Sequence, residues 1–432
     1  MKVKVIGAGL AGCEAAWQLA QRSITVELIE MKPQKLSPAH VSPDFAELVC
    51  SNSFRGNELT NAVGLLKEEM RRLDSIIMHC ADSTRVPAGS ALAVDRQRFS
   101  SMVTTMIREH PLITITEREV TDLPDGKIIV ATGPLTSDKL ATNLGILFDD
   151  EKMLSFYDSA APIVTFESID MENAYFASRY GKGDADYINC PMSESDYIAF
   201  RNELSNAQEA PVHGFEDKKV FEGCIPIEVM ARRGEDTMRF GPLKPVGLPD
   251  PKNGVEPYAV VQLRKENLEG TLYNLVGFQT HLKFPEQKRV FSMIPALRES
   301  QFVRYGVMHR NTYIDSPKLL DRYNRLKSNM RVSFSGQITG VEGYVESASS
   351  GLLTGIETAR ELLSLPPMDF PKETAIGALA LYTSGGATAD FQPMNINFGL
   401  IEPLDRRVKN KREKNLAISE RALEQIMNYN AI

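Results

Sequence analysis

Apolar residues alternate with polar ones over Met1 to Ile6 and again over Ile24 to Ile29, and between them Glu14 to Ser23 carries its apolar residues at helical spacing. This predicts strand, helix and strand within the first thirty residues. The turn after the first strand is Gly7-Ala8-Gly9-Leu10-Ala11-Gly12, which fits G-x-G-x-x-G, and the second strand closes on Glu30. Each glycine has a task in such a turn. Gly7 permits the tight bend, Gly9 lets backbone approach a pyrophosphate, and Gly12 lets the helix pack close to the strand. The helix N-terminus then faces the phosphates. Glu30 stands where a carboxylate can accept hydrogen bonds from a ribose diol. The pattern predicts a bound dinucleotide.

Further along, Leu65 to Cys80 reads as one amphipathic helix, with Leu66, Met70, Leu73, Ile77 and Cys80 on one face and Arg71 and Arg72 outside. Asp95 is placed to cap a helix with the stripe Phe99, Met102, Val103 and Met106. Lys127 to Val130 reads as a strand ending in Ala131-Thr132-Gly133, a small-residue turn that lets backbone pass close to a ligand. From about 150 to 320, aromatics, prolines and short β-like runs take over, as in an inserted α+β domain. The opening theme then returns. Arg331 to Ser335 is a strand, Gly336 to Gly343 a glycine-rich turn, and Val345 to Leu363 a helix whose Gly351 and Gly355 allow close packing on the sheet.

The expected fold class is α/β: an FAD-binding Rossmann-like domain of the glutathione-reductase type, with an inserted α+β domain. Residues 1–150 and 325–432 would form the FAD-binding domain and 151–324 the insertion. The late return favours FAD over NAD, because the isoalloxazine end needs contacts from a distant segment. Gly336, Gln337, Gly340, Val341, Glu342, Gly343 and Tyr344 are the candidates, beside Gly7 to Gly12, Glu30, Thr132 and Gly133. No second complete G-x-G-x-x-G is present, so a nicotinamide reductant would bind transiently over the flavin.

Composition narrows the classes. The 432 residues are 43% hydrophobic and 24% charged, an ordinary globular balance with length for more than one core. No apolar run approaches the roughly 18 residues of a membrane span. The first strand is not a signal peptide, so a cytoplasmic location is expected. A net charge of -7 argues against coating nucleic acid through bulk charge and leaves room for a local basic face. Arg406, Arg407, Lys409, Lys411, Arg412 and Lys414 form one such segment, readable as a solvated helix approach or as a mark of an anionic partner. Five cysteines without a C-x-x-C pair, and six scattered histidines, give neither a disulfide framework nor a zinc site. Cys50 and Cys224 are flanked by turn or small polar residues. On composition alone, each is either a small core residue or a nucleophile.

Several long segments settle the family. They are Val5 to Gly12, Glu47-Leu48-Val49-Cys50-Ser51-Asn52-Ser53, Phe221-Glu222-Gly223-Cys224-Ile225-Pro226-Ile227-Glu228-Val229-Met230-Ala231, Gly241 to Leu248, Val303 to Thr312, Gly336 to Gly343 and Gln392 to Leu400. Through them the chain resembles the folate- and FAD-dependent tRNA (uracil-C5) methyltransferases, the TrmFO family, over nearly its whole length. The resemblance implies methylation of a uridine C5 in RNA, at position 54 of the tRNA T-loop, giving 5-methyluridine. Methylenetetrahydrofolate would supply the carbon, FAD the reducing electrons, and NADH or NADPH would reload the flavin. Cys224 resembles the family's uracil-activating thiol and Cys50 its second catalytic thiol. A ribosomal RNA uridine and a small-molecule FAD oxidoreductase remain the alternatives. For RNA, a dispersed basic face of Lys283, Lys288, Arg289, Arg304 and Arg310 is the expectation, with the insertion contributing to it. No membrane and no obligate protein partner is expected.

Overall fold

The computed structural model describes residues 2–37, 39–148, 153–181, 184–210, 225–306, 308–385, 391–427 and 429. The chain opens with strand Lys2–Ile6, helix Leu10–Gln21 and strand Thr25–Glu30. The helix starts earlier than its apolar spacing suggests, because Gly9 is its N-cap and Leu10 to Gly12 already form the first turn. These strands lie within a six-stranded sheet ordered Arg325–Leu326, Asn329–Phe334, Lys127–Val130, Lys2–Ile6, Thr25–Glu30, Ile113–Glu117. Every neighbouring pair is parallel except the 325–334 edge hairpin. Val3, Val5, Val26, Leu28 and Ile129 are fully buried, as parallel strands covered on both faces require.

The late return occurs: Asn329–Phe334 pairs with Lys127–Val130, and helix Tyr344–Leu362 follows. Its close packing differs from the expectation. Gly351 and Gly355 meet the first helix, not the sheet. A Cβ at Gly351 would overlap the Ala11 carbonyl, and one at Gly355 would lie 2.8 Å from the Ala15 oxygen. Residue 351 against 11 and 355 against 15 means that the two helices run parallel, with both N-termini at the same end. The second begins seven residues before Gly351, so it projects roughly 10 Å further at that end.

The expected single helix 65–80 is two, Ala62–Arg72 and Ile76–Ser83. Asp74 takes a positive φ of 55° between them, and the Ser75 hydroxyl accepts from the Met78 N–H. Glu14 accepts from both the Ser75 hydroxyl and the Ile77 N–H, so the break is fixed from the first helix. Arg71 and Arg72 are engaged: Arg71 pairs with Asp82 at 2.7 Å, and Arg72 donates to the Leu423 carbonyl. Asp95 caps Arg96–Glu109 as expected, accepting from the Arg98 N–H at 3.0 Å.

A second six-stranded sheet is antiparallel, ordered Tyr175–Ala177, Tyr187–Met192, Ala259–Lys265, Leu272–Leu275, Ile163–Thr165, Phe302–Arg304. It has its own core, including Val164, Ile188, Phe200, Phe278 and Phe291. No described helix is long and apolar enough to cross a membrane.

Candidate active site

The first glycine turn opens a cleft. Gly7 has φ +98°, and a Cβ there would lie 2.6 Å from the Ala131 oxygen; a Cβ at Gly12 would overlap the Gly7 carbonyl. These two glycines are demanded by packing. A Cβ at Gly9 would meet nothing within 4 Å, and the same holds at Gly133. Gly7, Ala8, Gly9, Glu30 and Thr132 line the cleft together with Arg118 and Thr136. Leu10 and Ala11 are buried in the first helical turn, and no side chain caps it, so its leading N–H groups are available to a ligand. Glu30 is only 7% exposed. It accepts from the Ala8 N–H at 2.6 Å and the Lys32 N–H at 2.9 Å, which fixes the turn as well as the carboxylate.

Among the described cysteines, Cys13, Cys80 and Cys190 are buried and Cys50 is half-buried. Burial pushes the Cys80 thiol up to about 12, and Cys13 and Cys190 well above the ordinary thiol range. Cys50 is held differently. Its N–H and that of Ser51 both donate to the Tyr344 hydroxyl, at 2.8 and 3.2 Å. Burial first, then the neighbouring Cys50, pushes the Tyr344 phenol well above its usual range, so the hydroxyl stays protonated.

A ring of buried polar groups completes the anchor. Arg96 donates to the Leu48 carbonyl and pairs with Glu266 at 2.5 Å. Glu266 accepts from Asn274 at 2.7 Å, and Asn274 donates to Asn52 at 3.3 Å. The Asn52 oxygen also accepts from Arg264 Nε at 3.0 Å, and Arg264 donates to the Ser51 hydroxyl at 2.7 Å. Asn52 closes the strap by donating to the carbonyls of Val94 and Lys265. The Cys50 loop is thereby stitched to the antiparallel sheet. Burial opposes the Arg96 charge, but Glu266, with Tyr344 and Cys50, outweighs it and holds its pKa above the ordinary value. Arg304 donates to the Val49 carbonyl at 2.9 Å. Burial, and Arg96 beside it, lowers its pKa, against the pull of Tyr344, Glu47 and Cys50. Two guanidinium groups therefore share the neighbourhood of one thiol. Sequence reasoning missed Arg96, Arg264, Glu266 and Asn274, since nothing in their local pattern marks them.

The returning turn is built for packing. Gly336, Gly340 and Gly343 all have positive φ. A Cβ at Gly336 would lie 2.7 Å from that of Ala11, one at Gly340 would overlap the Phe391 ring, and one at Gly343 would run into the Arg55–Glu346 pair. Gln337 donates to Glu342 at 2.6 Å. Val341 bridges to Met394, the Glu342 N–H donates to the Met394 carbonyl, and Asn395 donates to the Glu342 carbonyl. The Gln392 to Leu400 motif thus lies along this turn.

The five basic candidates stand in different settings. Lys283, Lys288 and Arg289 are exposed at or on helix Phe284–Phe291, but Arg289 is paired with Glu203 and Glu286. Arg304 is half-buried on the Cys50 loop. Arg310 lies on strand Met308–Ile314, outside the residues whose side chains are described.

Cys224 lies outside the described residues. Hydrogen bonds fix the chain at Ala210 and at Ile227. On one side the Ala210 N–H donates to the His281 carbonyl; on the other the Ile227 N–H donates to that of Gln279. Helix Ile227–Arg233 follows, with Pro226 as its N-cap. The His281 ring sits between Glu209 on Nε2 and Glu228 on Nδ1, the latter at 2.6 Å. Thr280 donates to Glu228 at 2.9 Å, and Glu209 also pairs with Arg232. Burial opposes a charged ring at His281, but the two carboxylates outweigh it and raise its pKa.

Comparison with known proteins gives the same outline. The family described as Glucose inhibited division protein A matches residues 2–366. A protein of Acetivibrio thermocellus named methylenetetrahydrofolate--tRNA-(uracil-5-)-methyltransferase TrmFO is 60% identical over 428 residues, covering 99% of this chain and 98% of its own. A protein of the same name from Desulfitobacterium hafniense is 58% identical over 430 residues, covering 99% and 98%. The solved structure of Aquifex aeolicus GidA, form II crystal, superposes with a TM-score of 0.73 at 16% identity. It covers 99% of this chain and 73% of that one, a likeness of fold. With a family match across most of its length and such identity over all but a few residues, the chain belongs to the TrmFO family.

Proposed function

We propose that this protein methylates C5 of a uridine in tRNA, at position 54 of the T-loop, with methylenetetrahydrofolate as carbon donor, FAD as cofactor and NADH or NADPH as reductant. The full-length identity of 60% to a protein named as a methylenetetrahydrofolate–tRNA (uracil-5-)-methyltransferase supports the activity and carbon donor; position 54 and the reductant come from the resemblance alone. Residues 1–150 and 325–432 are assigned to FAD binding. In support, every strand of the parallel sheet comes from those segments, and every strand of the antiparallel sheet from 163–304.

The first cleft fits the cofactor. Gly9 leaves open space in front of an uncapped helix N-terminus, where a pyrophosphate gains N–H donors and the positive helix end. Glu30 suits a ribose diol, and Ala8, Thr132 and Gly133 border the path. The parallel second helix, with its N-terminus projecting beyond the first, supports assigning Gly336 to Tyr344 to the flavin end. Bound there and reduced by NADH or NADPH, the flavin would supply the two electrons that take a one-carbon unit from the formaldehyde level to methyl, and would itself return to FAD. Gly9→Val is expected to give folded, colourless protein, checked by circular dichroism and the flavin absorbance; a yellow variant would remove the pyrophosphate from this turn.

Two thiols divide the remaining work. Uracil C5 is a poor nucleophile. Cys224 adds its sulfur to C6, which places an electron pair on C5 for attack on the donor carbon. The C5 proton must then leave so that the C6–S bond can break and the ring recover its double bond. Cys50 is assigned to that proton. Arg96 and Arg304 put positive charge where a thiolate would form. Tyr344 and the Arg96–Glu266–Asn274–Asn52 ring hold the loop in place. The experiment is an assay of purified protein with labelled methylenetetrahydrofolate, NADH or NADPH and unmodified tRNA, followed by nucleoside analysis. Label in 5-methyluridine at position 54 is expected. Absence of label from the RNA would end the reading.

A further inference from the structure

We propose that Arg406 to Lys414 is a phosphate-binding arm for the RNA backbone, an inference that rests on the RNA-methylating reading above. Arg406, Arg407, Lys409, Lys411, Arg412 and Lys414 are all exposed, and among the described residues none of them is paired with a carboxylate. Between 402 and 414 there are six basic and three acidic residues, in a chain whose net charge is -7. By contrast, Arg289 on helix Phe284–Phe291 is matched to Glu203 and Glu286; what sets the arm apart is six such cations within nine residues.

The arm also opposes its own secondary structure. Lys411, Arg412 and Lys414 occupy the first turn of helix Lys411–Met427, with Glu413 the only acid there. Cations at a helix N-terminus face the positive end of the macrodipole, an arrangement that costs a few tenths of a kcal/mol each. The Asn410 Oδ1 accepts from the Arg412 and Glu413 N–H groups and Glu413 adds one negative charge, but the three cations of this turn still outnumber it; a phosphate meeting their side chains would offset the excess.

The arm is rigidly mounted. Ile418, Ala422, Leu423 and Ile426 are buried. Asn415 and Ser419 donate to the carbonyls of Thr60 and Leu59, and Arg421 to those of Pro403 and Glu402. It is tied on one side to the chain just beyond strand Ser53–Gly56, which follows Cys50. On the other side it continues from the segment along the Gly336 to Gly343 turn. Bound RNA would cross from this arm towards the thiol loop.

The test compares wild type with a variant carrying Gln at all six positions, and with the triple variant Lys411→Gln, Arg412→Gln, Lys414→Gln. Affinity for unmodified tRNA is measured from low to high salt, and thermal stability without RNA. Each lost phosphate contact should reduce the slope of log affinity against log salt by about 0.7–0.9. The six-site variant should therefore lose affinity at least tenfold at low salt, with the triple variant between. Thermal midpoints should be unchanged or raised. An unchanged slope overturns the proposal, as does lost affinity accompanied by a lowered midpoint and no change of slope. Wild type that methylates tRNA while the arm variants keep its salt slope overturns the arm alone. Wild type that neither binds nor methylates tRNA overturns the enzyme reading, and the arm with it.

Discussion

The loop that carries Cys50 and the chain that flanks Cys224 are anchored by opposite devices. The first is held by a closed ring of buried groups, with Arg96 and Glu266 as its charged pair. That pair is fastened on both sides, Glu266 accepting from Asn274 and Arg96 donating to the Leu48 carbonyl. The second has both of its stems on one short segment, where a single histidine lies between Glu209 and Glu228. An imidazolium there bonds Glu209 through Nε2 and is attracted to Glu228 beside Nδ1; a neutral ring loses that charge attraction. One thiol is thus held by a fixed scaffold, and the stems beside the other share a titratable clasp.

The largest expected effect comes from breaking the fixed anchor. Glu266→Gln leaves Arg96 buried without its counter-charge, and should destabilise by about 3–5 kcal/mol in denaturant unfolding. A cost below about 1 kcal/mol would mean that the ring does not carry the loop. Next is Asn52→Ala, which removes two donated and two accepted hydrogen bonds at a fully buried site. At about 1 kcal/mol each, less relaxation, a loss of about 2–3 kcal/mol is expected, with methylation reduced more than tRNA binding. The smallest effect, and the one that sharpens the contrast, is at His281. Its pKa is raised on folding, so its stabilisation is complete below its unfolded value of about 6.5 and is lost as pH rises through the folded value. The stability advantage of wild type over His281→Gln should therefore be greatest in mild acid and shrink towards pH 9. A His281→Gln deficit that grows with pH would reverse the assignment.

Much of the frame was legible because short-range rules decide it. The Gly7 to Gly12 turn, the Asp95 cap and strand Lys127–Val130 depend on neighbours in sequence, and all stand as read. The break at Asp74 was not legible. The apolar stripe runs across it unbroken, and it is the distant Glu14 carboxylate that fixes the new helix start. The two glycine turns teach the same lesson. In the first, Gly9 faces open space; in the second, Gly336, Gly340 and Gly343 answer to Ala11, Phe391 and the Arg55–Glu346 pair. The same letter leaves open space at Gly9 and fills a joint at Gly336, Gly340 and Gly343, and the sequence does not say which. Arg304 read as a surface cation because local sequence cannot see the Val49 carbonyl that it binds. The ring around Asn52 joins residues more than 200 positions apart, and no motif spacing could announce it.

The division of labour between the two thiols is tested most directly by trapping. With tRNA carrying 5-fluorouridine at position 54, methylenetetrahydrofolate and NADH or NADPH, fluorine at C5 cannot leave as a proton, so the sulfur–C6 bond is retained. Mass analysis should find a covalent protein–RNA complex with wild type and none with Cys224→Ser, while both Cys224→Ser and Cys50→Ser stay yellow and fail to methylate ordinary tRNA. A complex that persists in Cys224→Ser and vanishes in Cys50→Ser would contradict the account and exchange the two roles.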